Sequence, residues 1–259
     1  MEKPKVAIGS RLSHCKGVIT LGVRTNFYDY RPWEQKLIRE AEIIYYPTSF
    51  YADLFNTMGK PTFPSYDCYK YACDKIKQTA LFNLLGIPHP RTRIFYGDRQ
   101  KREILNYFSY PFIAKIPRGS ALGEGVYLIK NDADLSAYKK ITKVAYIQEY
   151  LEIDGDIRVV VIKDKAILAY WRIKKEGEYR CNISHGAEIS LDNVPEAAIE
   201  LALRTCKLCN LDDVGIDMCV YNGKFYVFEA NIKYGREGFK KAGIDYKKLL
   251  ADMVEKGEI

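Results

Sequence analysis

Two stretches of this sequence carry residues whose types and spacing could do chemistry. One is PFIAKIPRGSALGEGVYLI (residues 111–129), a lysine on an apolar run followed by a glycine-rich loop. The other is the pair GIDMCV and FEANI, which holds Asp217, Glu229 and Asn231. Glycine-rich loops wrap phosphates because backbone N–H groups approach closely where no side chain intervenes. Two familiar phosphate loops are excluded by spacing. A P-loop places its lysine after the loop and opens a helix, whereas Gly119 and Gly123 are followed by VYLIK, which reads as a strand. A dinucleotide fingerprint needs a third glycine where Leu128 stands after Gly123 and Gly125. What remains is strand, loop, strand, with Lys115 on the first strand. That arrangement is a flap over a nucleotide, with an ordinary hairpin loop as the alternative.

Glu229 and Asn231 are two apart, so on a strand they share a face. Their neighbours Ile216, Met218, Val227 and Phe228 are apolar, and buried carboxylates need a cation or a basic partner. A donor set of oxygens alone suits magnesium rather than zinc. Register sets a condition. A plain two-residue turn at Asn222-Gly223 puts Asp217 opposite Phe228, so a shared ion requires a longer loop or a bulge that brings Asp217 opposite Glu229. The alternative is a pair of edge carboxylates in solvent.

The elements that must position these groups read as an α/β chain. KVAIGS and AEIIYYPTS are strands flanking a helix over RPWEQKLIREAE. MGKPTFPSYD marks a boundary near residue 66, and YKYACDKIKQTALFNLLG reads as one helix stopped by Gly86. DADLSAYKKI is a short helix, and VAYIQEYL, DIRVVVI and KAILAYWRIK are strands. A helix from Pro195 to Asn210, the hairpin holding the carboxylates and a closing helix over IDYKKLLADMVEKGE complete the chain. The expected units are residues 1–70, 71–145 and 146–259.

Bulk properties narrow the class. The chain has 259 residues, 47% of them hydrophobic, enough for a substantial core in two or three subdomains. Its net charge of +7 is spread along the chain, which suits anionic ligands and makes nucleic acid an unlikely partner. No signal peptide or membrane helix is visible, and seven cysteines, an odd number, argue for a reducing, cytoplasmic setting. Cys206 and Cys209 share a helix face with Ala198 and Ala202, so buried structural thiols are expected in place of a metal or redox pair.

Six motifs in order, DK, IAKIPRGSALGEGV, IQEYL, GDIRVVVI, KKEGEYRCN and GIDM…FEAN…GREG, give residues 74 to 259 a resemblance to the ATP-grasp superfamily. Within it the chain resembles the RimK-like branch of ATP-dependent carboxylate–amine ligases. The resemblance implies an ATP-grasp fold, two α+β subdomains gripping ATP after a short α/β N-terminal domain. It implies that Lys115 and Lys75 bind nucleotide and that Gly119, Ser120, Gly123 and Gly125 belong to the flap. Gln148, Glu149 and Tyr150 then belong to the hinge strand, with Glu149 and Tyr150 lining the adenine pocket, and Asp156 lies near the ribose. Arg180 and Asn182 reach the phosphate end and, with Lys115, serve catalysis. Asp217, Glu229 and Asn231 hold two magnesium ions, with manganese as the alternative. Arg158, Lys233, Tyr234 and Arg236 are assigned to substrate. The last three make a pocket for an anionic or aromatic group, Lys233 and Arg236 supplying charge and Tyr234 a stacking face, with a solvent loop as the alternative. Lys75 as a solvated helix lysine, Arg158 as an outward strand residue and Asp156 as a hairpin cap remain the alternatives.

One departure stands out: Lys233-Tyr234 replaces the Ser-Pro that family members carry after the metal-binding Asn. That loop borders the acceptor site, so substrate identity is not carried over. The implied reaction joins small-molecule or peptide carboxylate and amine substrates through an acyl phosphate, releasing ADP and phosphate. A phosphotransferase and a non-catalytic nucleotide-binding module are the competing readings. A homo-oligomer is compatible with the sequence.

Overall fold

The computed structural model describes residues 4–72, 74–118 and 124–259. The first sheet is parallel, in the order β2-β1-β3-β4, from β1 (Lys5–Ala7), β2 (Val18–Thr20), β3 (Ile44–Tyr45) and β4 (Thr62–Phe63). Parallel strands need crossovers, and α1 (Pro32–Glu40) and α2 (Thr48–Thr57) supply two of them. Pro32 opens α1 where its missing N–H costs nothing, and the Glu34 carboxylate accepts the Arg31 N–H at 2.6 Å. The sequence pattern shows β1, α1 and β3 but not α2, whose start at Pro47 carries no side-chain cap.

The single helix expected over residues 69–86 is two helices, α3 (Tyr66–Tyr71) and α4 (Lys75–Leu85). Asp74 causes the break. Its backbone is extended, and its carboxylate accepts the N–H groups of Ile76 at 3.0 Å and Lys77 at 3.2 Å. A residue capping a helix start lies outside the helix it caps. Gly86 ends α4 in the left-handed conformation, as expected.

The second sheet is antiparallel, β5-β8-β6-β7, from β5 (Thr92–Tyr96), β6 (Phe112–Lys115), β7 (Val126–Ile129) and β8 (Val144–Glu149). The short helices α5 (Gly97–Lys101) and α6 (Ile104–Tyr107) and the longer α7 (Asp132–Ile141) accompany it. Ile104, Phe112, Leu135 and Tyr138 share one core. The Tyr138 hydroxyl accepts the Tyr146 N–H at 3.1 Å and donates to the Lys115 carbonyl at 2.7 Å, fixing β6 against β8 where Lys115 sits.

The third sheet, β11-β10-β9-β12-β13, comprises β9 (Gly155–Ile162), β10 (Lys165–Ile173), β11 (Glu188–Ser190), β12 (Asp213–Tyr221) and β13 (Lys224–Asn231). Helices α8 (Glu196–Cys209), α9 (Glu237–Lys241) and α10 (Tyr246–Glu255) complete the chain. The central strand β9 is buried on both faces over its apolar end Val159–Ile162. Ile157, Val159 and Val161 pack with Ala198, Ala202, Cys206 and Cys209 of α8. Val160 and Ile162 pack with Leu250 of α10 and with Ala7, Tyr45 and Phe63 of the first sheet. Each fully buried Val, Ile, Leu or Phe among them contributes about 1.5–3 kcal/mol. Burial pushes the Cys209 thiol up to about 12, as suits an inert core residue. No described helix is long and apolar enough to cross a membrane.

Candidate active site

The hairpin of β12 and β13 meets the register condition through a bulge. Asn222 and Gly223 take positive φ of 50° and 72°, the requirement of a tight two-residue hairpin turn, and Tyr221 pairs with Lys224. Met218 pairs with Val227, but Asp217 pairs with Glu229, so Phe228 is the inserted residue. The insertion turns Glu229 and Asn231 to the face of Asp217. The Asn231 amide Nδ2 lies 3.2 Å from Asp217 Oδ2 and 2.9 Å from Glu229 Oε1.

Three oxygen-bearing side chains therefore converge on one point. Among the described residues no group of three His, Cys, Asp or Glu gathers for a metal, so the amide is needed to complete a three-donor set. Turning that amide over exchanges its N–H for its carbonyl oxygen at the same place. Carboxylate and amide oxygens suit magnesium, and on this chemistry the residues fit the ion.

Two lysines face this set. Lys75 Nζ lies 3.0 Å from Glu229 Oε2. Gln78, one turn later on α4, is what holds it there. Its amide accepts the Ala230 N–H at 2.9 Å and donates to the Ala230 carbonyl at 3.1 Å, clamping the helix along the outer edge of β13. Lys115 is buried, with Nζ 5.8 Å from the Tyr146 ring centre and 5.7 Å from that of Phe228. Burial brings its ammonium down to about 8, with Glu229 opposing and Lys75 adding to the fall. Burial works against charge on Glu229 too, yet Lys75 and Lys115 outweigh it and hold the carboxyl well below the usual range. The bulge residue Phe228 thus carries part of the wall beside Lys115.

Behind Asp217 lies a buried network that the sequence reading did not anticipate. Arg158 is directly opposite Asp217 on β9, donating from Nε and Nη2 at 2.6 Å each, and from Nη1 to the Tyr234 carbonyl at 2.8 Å. Arg172, opposite Asp156 on β10, makes the same two-pronged contact with Asp156 at 2.6 Å and reaches Asp217 at 3.0 Å. Asp156 was expected beside the ribose. Its carboxylate is instead buried and engaged by Arg172, because it faces the same side of the sheet as Asp217. Arg158 is likewise an internal strut, with no outward strand position. Replacing Arg172 with methionine leaves Asp156 buried without its partner. Destabilisation of about 3–5 kcal/mol is expected in denaturant unfolding; a loss below about 1 kcal/mol would show the network to be dispensable for folding.

The remaining residues are spread around this centre. Gly119, Ser120 and Gly123 lie outside the described residues. Gly125 has a φ of 74°, and its carbonyl accepts the Ile116 N–H at 2.7 Å where β6 and β7 part. Gln148 is buried and donates to Thr92 Oγ1 at 3.0 Å, and Glu149 accepts the Arg91 N–H at 2.6 Å. Both side chains thus already have partners at β5 and the residue before it. Tyr150 does line an open depression of about 490 Å³, together with Tyr110, Pro111, Leu128, Lys130 and Glu152. Arg180 is turned to Glu178, at 2.8 and 3.0 Å, and its one described carboxylate partner is Glu178 rather than Glu229. Asn182 precedes the short turn Ile183–His185 without a side-chain cap, its carbonyl accepting the His185 N–H at 2.9 Å. The Tyr179 hydroxyl ties this segment to the Val126 carbonyl at 2.8 Å, so Arg180 sits beside the base of the glycine loop.

Beyond Asn231 the loop lines a second cavity, of about 220 Å³, to which Lys233, Tyr234 and Arg236 contribute. Lys233 and Arg236 are exposed. Tyr234 is not the open stacking face expected of it: the residue is 4% exposed, and its hydroxyl donates to Asp213 Oδ1 at 2.7 Å. A Cβ on Gly215 would stand 2.6 Å from the Tyr234 Cβ, so glycine is what lets the loop lie this close to β12. Tyr234 anchors the loop and leaves Lys233 and Arg236 to face the cavity.

The sequence pattern that defines the RimK-like ATP-grasp domain matches residues 72–254. A probable alpha-L-glutamate ligase of Haemophilus influenzae (strain PittEE) is 29% identical over 206 residues, 76% of this chain and 69% of its own length. A ribosomal protein bS6–L-glutamate ligase of Escherichia coli O139:H28 is 28% identical over 193 residues, 71% of this chain and 64% of its own. The chain thus spans about two thirds of the length of these curated relatives. Their names fit ligase chemistry and not phosphotransfer to a hydroxyl. The crystal structure of a RimK domain ATP-grasp protein from Sphaerobacter thermophilus superposes with a TM-score of 0.71 at 14% identity, covering 96% of this chain and 98% of that one. A D-alanine–D-alanine ligase from Bacillus anthracis complexed with ATP gives 0.67 at 14% identity, covering 97% and 95%. These likenesses establish the fold. With the sequence match over residues 72–254, the chain belongs to the RimK-like ATP-grasp family of ATP-dependent carboxylate–amine ligases.

Proposed function

We propose that this chain activates a substrate carboxylate with ATP and couples it to an amine at the face shared by Lys75, Lys115, Asp217, Glu229 and Asn231. The observation that carries the reading is the bulge at Phe228, which gathers two carboxylates and an amide opposite two lysines. A carboxylate is a poor electrophile. Its oxygen attacks the γ-phosphorus in line, the bond to the β–γ bridging oxygen breaks, and ADP leaves with that electron pair. The amine then adds to the acyl phosphate carbonyl, phosphate departs and an amide remains.

Lys115 and Lys75 neutralise charge that develops on the phosphate oxygens, which matters most where water is excluded. Asp217, Glu229 and Asn231 hold magnesium, which when bound supplies charge neutralisation and orientation of the phosphate oxygens. Arg158 and Arg172 fix Asp217, so the donor set is preorganised. Tyr150 lines the adenine end. Arg180, next to the Tyr179 that ties this segment to Val126, and Asn182 serve the phosphate end. There Arg180 must leave Glu178 to stabilise the oxyanion of the tetrahedral intermediate formed when the amine adds. Lys233 and Arg236 face the acceptor side.

ATP with magnesium stabilises the native chain by mass action. At one hundred times the dissociation constant the gain is about 2.7 kcal/mol, a rise of roughly 5–10 °C in melting temperature for a chain of this size. Chelation of magnesium abolishes most of that rise. An equal rise with ATP in chelator contradicts the metal assignment, and no rise with magnesium and ATP contradicts the nucleotide site.

A further inference from the structure

Tyr234 is held at both ends. Its hydroxyl donates to Asp213 Oδ1 at 2.7 Å. The Tyr246 hydroxyl, 2.9 Å away, must therefore donate to it, since a hydroxyl carries one hydrogen. Asp213 is fully buried on β12. Arg11, on the turn Ser10–Leu12 that follows β1, donates from Nη1 to Asp213 Oδ2 at 3.1 Å and to the Tyr246 hydroxyl at 3.3 Å. One cluster thus joins the turn after β1, the strand β12, the start of α10 and the loop after β13.

The other end of Tyr234 faces the donor set. Its backbone carbonyl accepts Arg158 Nη1 at 2.8 Å, and the same guanidinium grips both oxygens of Asp217 at 2.6 Å. Two parallel bonds fix the guanidinium to the carboxylate, but the pair can still swing together about both side chains. A third contact, to backbone on another element, removes that freedom. Arg172 does not replace it: both of its 2.6 Å contacts go to Asp156, and it reaches Asp217 at 3.0 Å through Nη2 alone. Asp217 Oδ2 is also 3.2 Å from the Asn231 amide, so a turn of this carboxylate opens the donor set. Tyr234 itself has little room to give. It is 4% exposed, and a Cβ on Gly215, two positions before Asp217, would stand 2.6 Å from its own Cβ.

Resting on the metal assignment of that face, we propose that Tyr234 is a positioning residue. Through Arg158 it sets how the Asp217 carboxylate is turned toward the metal, and through Asp213 it makes that setting depend on Arg11. Tyr234 touches no reacting atom; it acts through the carboxylate. Metal donors must be held within about 0.5 Å of their working positions, and a relay of direct hydrogen bonds transmits a shift of that size.

Manganese takes the same oxygen donors as magnesium and is counted directly by electron paramagnetic resonance. The full chain is titrated with manganese in the presence of ADP, and separately with ADP in chelator. Tyr234→Phe removes one hydroxyl and its hydrogen bond, and should weaken manganese about 3–10-fold with ADP affinity in chelator unchanged. Gly215→Ala pushes on the same residue from the other side and should act in the same direction. Arg11→Lys keeps a charge beside Asp213 but loses the fork that also reaches Tyr246, and should weaken manganese several-fold. Unchanged manganese affinity in Tyr234→Phe overturns the proposal. So does an equal loss of ADP affinity in chelator, or a denaturant midpoint showing Tyr234→Phe unfolded, since either marks a merely structural role. Unchanged manganese affinity in Arg11→Lys overturns the link to Arg11. The unmodified chain reports on the metal assignment separately. If it takes up no manganese with ADP, that assignment falls and the proposal with it; if it does while the variants match it, the proposal alone falls.

Discussion

Replacing Glu229 with glutamine lowers turnover by about 10²–10³-fold and leaves the fold intact. The side chain keeps its size, and at 24% exposure it is within reach of solvent, so the variant folds although its pairing with Lys75 is weakened. What disappears is the anionic donor between Lys75, at 3.0 Å, and the Asn231 amide, at 2.9 Å. Two consequences follow. The donor set keeps one carboxylate in place of two, so magnesium is held less tightly. Lys75 and Lys115 also lose the charge that offsets their mutual repulsion. Steady-state rates at saturating magnesium, set beside the denaturant midpoint, separate the two possibilities. Full activity in the variant would remove Glu229 from the site. Asn231→Asp is the complementary change: it retains metal binding but adds a negative charge near the γ-phosphate, and a lowered turnover with intact binding is expected.

Lys115→Met weakens ATP binding by about 10–100-fold, the cost of one charged hydrogen bond to phosphate. The pH dependence identifies the group responsible. In the free chain burial brings the Lys115 ammonium down to about 8, against the attraction of Glu229. Bound phosphate favours the charged form and raises that value, so binding above pH 8 takes up a proton. ATP affinity is therefore flat below about pH 8 and falls by up to tenfold per unit above it. In Lys115→Met, which has no proton to gain, this decline is absent. Titrations at pH 7 and pH 9 on both forms suffice. The same decline in the variant would assign it to another group.

How much of this was legible beforehand follows from how far each residue's partners lie along the chain. The bulge was one of two registers that the sequence left open, because only an inserted residue brings Asp217 opposite Glu229. The helix face of Ala198, Ala202, Cys206 and Cys209 was readable from local spacing alone, and all four are buried. The residues that hold the site together were not readable. Gln78 clamps α4 to Ala230, 152 positions away, and Arg11 reaches Asp213, 202 positions away. Arg172 stands in the apolar run KAILAYWRI with its partner Asp156 across a strand pair. A charged residue in such a run is the signal that could have found it. Tyr234 misled because its type promises a stacking face, while Gly215 and Asp213, on a neighbouring strand, make room for its ring inside. Asp74 sits within a helical pattern and was passed over as a cap, although an aspartate before an apolar helical stretch carries that meaning.

The central claim is that ATP cleavage here is coupled to joining a carboxylate to an amine, and release of ADP with mass detection of the product tests it most directly. Amino acids and short peptides are supplied in pairs with magnesium and ATP. The account predicts that ADP and free phosphate accumulate in equal amounts only when both a carboxylate and an amine are present. A product whose mass is the sum of the two substrates less one water should appear with the same stoichiometry, and Glu229→Gln should suppress all three signals together. Phosphate retained on a hydroxyl product, or full ADP release without an amine and without any coupled mass, would contradict it.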